Sequence, residues 1–223
     1  MFTQDLLDFM MDLRLNNNKE WMHAHREEYI EKVRTPYYAL IEVLATTMLD
    51  IDPKMEVRPN KALSRIFRDT RFSNNKLPYR DHHWVAFRHA GEPREKSIFF
   101  YFEIRLDEVS WGMGIWGENK PVLDVLRQHM LTAPEDFIKF IPILKKNGFA
   151  LNGASYKKLK VPPELHPKLK SWYTKRQLYV SKHCPRPEII FTPALADQLK
   201  HDFLILKPLY QLLRTAYEIG SQQ

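Results

Sequence analysis

From residue 98 to residue 107 the chain alternates without a break. Ile98, Phe100, Phe102, Ile104 and Leu106 take one parity, and Phe99, Tyr101, Glu103, Arg105 and Asp107 take the other. Successive side chains of an extended backbone point to opposite faces, so this pattern predicts a strand with one face buried. Such a strand needs partners along its edges and a layer over its apolar face. The flanking sequence supplies the layer. Leu6, Phe9, Met10 and Leu13 recur at helical spacing over about 3–14, and Tyr37, Leu40, Ile41, Leu44 and Met48 line a helix that starts at Pro36 and ends before Asp52-Pro53. Between them, Asn17 as N-cap with Glu20 three residues on opens a helix along Trp21, His25, Tyr29 and Val33.

Helical spacing returns after the strand region. Asn119 precedes Leu123, Leu126 and Met130, and a Thr132-Ala-Pro-Glu135 capping box opens a helix through Phe137, Phe140 and Leu144. The stretch 149–193 is rich in Pro and Lys and reads as a loop-rich crossing of the surface. Thr192-Pro193 then opens a last helix along Leu195, Leu199 and Phe203, interrupted at Pro208. Helices, then strands, then helices predict an α+β fold, an antiparallel sheet with N-terminal and C-terminal helices packed around it, rather than alternating βαβ units. At 223 residues and 44% hydrophobic content the chain is expected to form a single domain, residues 1–223. The early acids Asp5, Asp8 and Asp12 disagree with a signal peptide, and no apolar run approaches the ~20 residues a membrane span needs. With a single cysteine, Cys184, no internal disulfide can form, and a cytoplasmic protein is expected.

The candidate chemistry sits beside the first strands. The run Arg65-Ile-Phe-Arg-Asp69-Thr-Arg71-Phe-Ser73-Asn-Asn-Lys76-Leu-Pro-Tyr79-Arg80 lies in a stretch, 58–80, with seven cations and one acid, which is +6 of the chain's formal +7. A second basic stretch, 145–186, carries +10, so the remainder is net negative. Guanidinium forks match phosphate or carboxylate, and Lys76, Ser73 and Tyr79 add donors of different reach. Arg65, Arg68, Arg71, Lys76 and Arg80 are therefore candidate anion contacts, with Ser73 and Tyr79 as hydroxyl donors. The opposing reading is a structural Arg-Asp-Tyr network that pins the loop, with arginines packed on Phe67, Phe72 and Tyr79.

Glu103 and Asp69 are the candidate carboxylates, either orienting these cations or serving as acid and base. A two-residue turn at Asp107-Glu108 would set Glu103 opposite Gly112 and Tyr101 opposite Gly114. Two glycines there suggest either a backbone-floored cavity or the close approach of another element. No metal-ligand spacing, phosphate-binding loop or nucleophile motif is present, and no cofactor is indicated. The partner classes left open are a small phosphorylated or anionic ligand, a nucleic acid bound by both basic segments, and a protein surface.

Several of these segments carry a resemblance. Asn16-Asn-Asn-Lys-Glu20-Trp21 with Arg26 and Tyr29, the arginine run, Gly112-x-Gly114-x-Trp116, and Leu159-Lys160-x-Pro162 with His166-Pro167 resemble, in order and spacing, the uncharacterised conserved proteins of domain of unknown function family 2461. The resemblance implies one full-length domain of microbial cytoplasmic proteins and brings no established activity, substrate or cofactor. Two departures stand out: Asn75 replaces the family's usual acid, and the segment between Pro162 and His166 is shorter than usual.

Overall fold

A computed structural model of the chain describes residues 1–71, 74–185 and 187–222. The N-terminal part holds α1 (Gln4–Leu15), α2 (Lys19–Ala24), α3 (Arg26–Glu28), a π-helical turn (Tyr29–Arg34), α4 (Thr35–Ile51) and α5 (Pro59–Ala62). Strands β1 (His83–Arg88), β2 (Ile98–Ile104) and β3 (Val109–Ile115) follow, then α6 (Lys120–Thr132), α7 (Glu135–Ile138), α8 (Phe140–Lys146) and β4 (Ala150–Asn152). The chain continues through α9 (Lys170–Tyr173), β5 (Leu178–Cys184) and α10 (Ala194–Gly220). The strands form a five-stranded antiparallel sheet in the order β1-β2-β3-β5-β4, with Leu151 opposite Val180 in the β4–β5 pair. With helices at both ends of the chain, this is the expected α+β class.

The chain divides into two compact units. The first comprises Met1–Phe87, Tyr101–Trp111 and His183–Lys200, and the second Arg88–Phe100, Gly112–Lys182 and His201–Gln223. In the first, α1 buries Leu6, Phe9, Met10 and Leu13, and α4 buries Tyr37, Leu40, Ile41, Leu44 and Met48, as their spacing predicts. Tyr37 joins helix to strand: its ring meets Phe2 edge-on at 4.9 Å, and its hydroxyl donates to the His83 carbonyl at 2.9 Å. Burial, with Glu103 adding repulsion of a phenolate, raises the Tyr37 pKa and keeps it a donor.

In the second unit, Phe203 and Tyr210 of α10 lie 5.3 and 5.2 Å from Phe100. Here the structure corrects the expected break: α10 runs unbroken past Pro208. An internal proline costs a helix ~3 kcal/mol. Against that, Leu199, Phe203, Leu206, Leu209, Tyr210 and Leu213 are all buried along one continuous face, each stabilised by ~1.5–3 kcal/mol.

Two further expectations are corrected. The stretch 149–193 contains β4 and β5, and β5 places its backbone against the β3 glycines. A Cβ on Gly112 would collide with the Val180 carbonyl, and one on Gly114, at φ +155°, with the Leu178 carbonyl and Tyr179 backbone. The glycines therefore admit a neighbouring strand and do not floor a cavity. The hairpin turn also lies one residue earlier than expected. The Arg105 N–H donates to the Glu108 carbonyl at 2.8 Å, so Leu106 and Asp107 form the loop, and Leu106 leaves the strand half-exposed. Continued regularly from that pair, the ladder sets Glu103 opposite Ser110; a shift of two residues keeps each side chain on its original face.

Candidate functional site

The arginine run folds back on itself as a narrow antiparallel ribbon. Leu63 bridges Val85 and Phe67 bridges Tyr79, with the Arg68 N–H donating to the Pro78 carbonyl and the Arg80 N–H to the Ile66 carbonyl, each at 2.8 Å. Leu63 and Phe67 thus pair through isolated bridges outside the named strands, and the described residues 69–71 and 74–77 belong to the loop at their tip. Asn17 clamps this ribbon: its side-chain N–H donates to the Tyr79 carbonyl and its oxygen accepts the Tyr79 N–H, both at 3.0 Å. The N-cap of α2 is Asn18, whose side chain accepts the Trp21 N–H at 2.9 Å. The three consecutive asparagines therefore divide the work, one capping the helix and one holding a distant loop.

A ribbon alternates its side chains, and Phe67 and Tyr79, with ring centroids 5.3 Å apart, share one face. Arg68 and Arg80 belong to the other. Burial lowers the Arg80 pKa from its ordinary value, and Arg68 and Arg65 add repulsion. Arg68 and Arg65 thus lie near enough to Arg80 for their charges to repel it, and the local acid is already engaged. Asp69 accepts from Arg71 Nε and Nη2 at 3.0 and 2.8 Å, which pulls its carboxyl down to about 2. Among the described residues, neither Arg65 nor Arg68 has a carboxylate partner. Lys76 donates to the Thr70 carbonyl at 2.9 Å and so stays with the loop. Tyr79 is buried on the face away from Arg68 and Arg80, while Ser73 and Phe72 lie outside the described residues.

The arginine face continues along the chain into β1. Arg80 lies over the Trp84 ring at 4.7 Å, and Trp84 stacks on His82 with centroids 5.7 Å apart, so residues 80, 82 and 84 follow the period of two. His82 Nδ1 is 3.2 Å from Asp81, which also accepts from Arg14 at 2.6 Å. Its Nε2 stands 3.8 Å from Glu103, and Glu103 accepts from Arg105 at 2.9 Å. Burial holds His82 below its ordinary pKa, against the pull of Asp81. Arg68, Arg80 and Glu103 thus connect through Trp84 and His82, two residues the sequence reading did not select for this role. The parity shared by 80, 82 and 84 was the signal that could have found them.

Asp69 is not part of that connection, because it serves Arg71. Among the described residues, no group of three His, Cys, Asp or Glu side chains is arranged to hold a metal ion. No described helix is long and apolar enough to cross a membrane.

The comparisons with known proteins agree with the resemblance that the motifs carry. No curated protein matches the chain. The model of one family, described as "Conserved hypothetical protein (DUF2461)", matches residues 5–212. The chain therefore belongs to the DUF2461 family.

Proposed function

We propose that this chain binds a small phosphorylated or otherwise anionic ligand through Arg65, Arg68 and Arg80. The observation that carries the reading is the gathering of these three guanidiniums while Asp69, the acid among them in sequence, is held by Arg71. Like charges brought together repel, and an anion accepting from several forks offsets that repulsion. Asp69 and Arg71, with Lys76 tied to Thr70, shape the loop that presents the site.

Trp84 offers a half-exposed ring beside Arg80 on which a flat part of the ligand stacks. If the ligand is also converted, His82 and Glu103 are the pair that would move a proton. A bond from His82 Nδ1–H to Asp81 leaves Nε2 as the acceptor on the side of Glu103.

The test is the thermal stability of the wild type and of Arg68→Ala against inorganic phosphate, sugar phosphates, nucleotides and short oligonucleotides. The reading expects one class of small anion to raise the wild-type midpoint while a folded Arg68→Ala does not respond. It fails if the two respond alike, if nothing shifts the wild type, or if only oligonucleotides act with a steep dependence on salt, the mark of a polynucleotide binder.

A further inference from the structure

We propose a second ligand site, on the other face of the ribbon, that takes a small organic anion with a flat apolar body. A cavity of about 520 Å³ opens there, lined by Lys19, Met22, His23, Arg26, Tyr29, Ile30 and Arg34 on one side and Ile66, Phe67 and Tyr79 on the other. Its size is within the range of small-molecule sites. All lining residues belong to the first unit. Its lining includes none of Arg65, Arg68 and Arg80.

Local backbone geometry builds the charged wall. In the π-helical turn Tyr29–Arg34, the N–H of Thr35 bonds to the carbonyl of Ile30, five residues back. That spacing stacks residues five apart, so Arg34 comes round toward the side of Tyr29, whereas an α-helix would set the two about 140° apart. Lys19 and Arg26 approach from α2 and α3. None of the described lining residues is acidic, and Lys19, Arg26 and Arg34 have no ion-pair partner among the described residues. Three cations around one opening, without a carboxylate among them, favour an anion in it.

Two further observations point the same way. Tyr29 and Tyr79 are buried to within 9% and 5% of full burial, yet neither hydroxyl has a hydrogen-bond partner among the described residues. Neither hydroxyl oxygen is itself shut off from solvent, so each can donate to water or to a ligand in the cavity. Burial pushes the Tyr29 pKa up to about 12, so it is a donor at neutral pH. Apart from His23 the remaining lining is apolar: Met22, Ile30 and Ile66 line the walls, and Phe67 is 63% exposed at the opening, beside the Tyr79 ring. Cations and phenols take the charged end, and the apolar walls with Phe67 take a flat ring. Aromatic carboxylates and aryl phosphates both have this chemistry.

The experiment is isothermal titration calorimetry of phenyl phosphate, benzoate and inorganic phosphate against the wild type, Tyr29→Phe, Arg34→Gln and Arg68→Gln. Tyr29→Phe removes a hydroxyl that has no hydrogen-bond partner among the described residues, so its thermal midpoint is expected to match the wild type. The proposal expects phenyl phosphate or benzoate to bind more tightly than inorganic phosphate. Tyr29→Phe should weaken that binding about tenfold and Arg34→Gln by tenfold or more, while Arg68→Gln leaves it unchanged. Whichever of the two aromatic probes binds names the charged group. The proposal is overturned if neither aromatic probe binds, if Tyr29→Phe and Arg34→Gln bind like the wild type, or if Arg68→Gln alone removes binding. That last outcome would place the ligand on the arginine face and leave the proposed function standing.

Discussion

His83 should make this protein lose stability in mild acid, and the size of the loss can be worked from its surroundings. The side chain is 1% exposed, near Tyr29 and Tyr37 with ring centroids 5.8 and 6.0 Å away, and its Nδ1 lies 3.4 Å from the Ser64 hydroxyl. That hydroxyl already accepts the Trp84 N–H at 3.1 Å, which leaves its proton for His83 and favours the neutral ring. Burial, aided by repulsion from His82 and Arg80, holds the His83 pKa at about 3 against an ordinary 6.5. A folded-state pKa depressed in this way means that the unfolded chain takes up the proton first. Stability therefore falls as pH drops below 6.5, by up to ~1.4 kcal/mol per pH unit, and levels off below about 3.

Between pH 7 and pH 5 this one group should remove about 2 kcal/mol. His82, also lowered by burial, adds a smaller loss of the same sign. The assay is urea unfolding of the wild type and of His83→Asn at pH 7, 6 and 5 at fixed ionic strength. Asparagine keeps an acceptor for Ser64 but does not titrate. The gap between the two proteins should narrow by about 2 kcal/mol over that window. Parallel losses of stability in both would refute the assignment of the acid sensitivity to His83.

Three further outcomes follow from individual contacts. Asn17→Ala removes both hydrogen bonds to the Tyr79 backbone and should cost about 1–3 kcal/mol in urea unfolding, with faster amide exchange at Tyr79 than in the wild type. Gly112→Ala, whose added methyl meets the Val180 carbonyl, should lower stability by about 2 kcal/mol or more; a neutral result would mean that β3 and β5 are not so close. Arg127 is buried and donates to the Tyr173 and Lys175 carbonyls at 3.0 and 2.7 Å while pairing with Asp124. Arg127→Met should cost about 3–5 kcal/mol by thermal or urea unfolding, and Arg127→Lys should recover only part of it, because an ammonium cannot span both carbonyls as a fork does.

Periodicity determined the class of this protein from the sequence alone. The alternation of residues 98–104 made β2, and the helical spacing of Leu6 to Leu13 and Tyr37 to Met48 made the buried faces of α1 and α4. These signals are local: each residue's direction follows from its neighbours' backbone geometry. The order of helices and strands, and with it the α+β class, came from the same source, and the composition of the arginine run marked where to look for an anion.

Contacts between distant residues decided the rest. β5 carries Ser181, Lys182 and His183 in its second half, and it became a strand because the glycines of β3 leave room for it. α10 stayed whole across Pro208 because one apolar face is buried on both sides of the proline. The local sequence could not say that Arg71 would hold Asp69 and leave Arg65, Arg68 and Arg80 gathered, nor that Asn17 would reach Tyr79. The cavity is the clearest case. Lys19, Arg26 and Arg34 are unremarkable helix cations in sequence, and only a π-helical turn and a ribbon some forty residues downstream gather them around two buried tyrosines. Such pairings rest on burial and close approach across the fold, which no local period encodes.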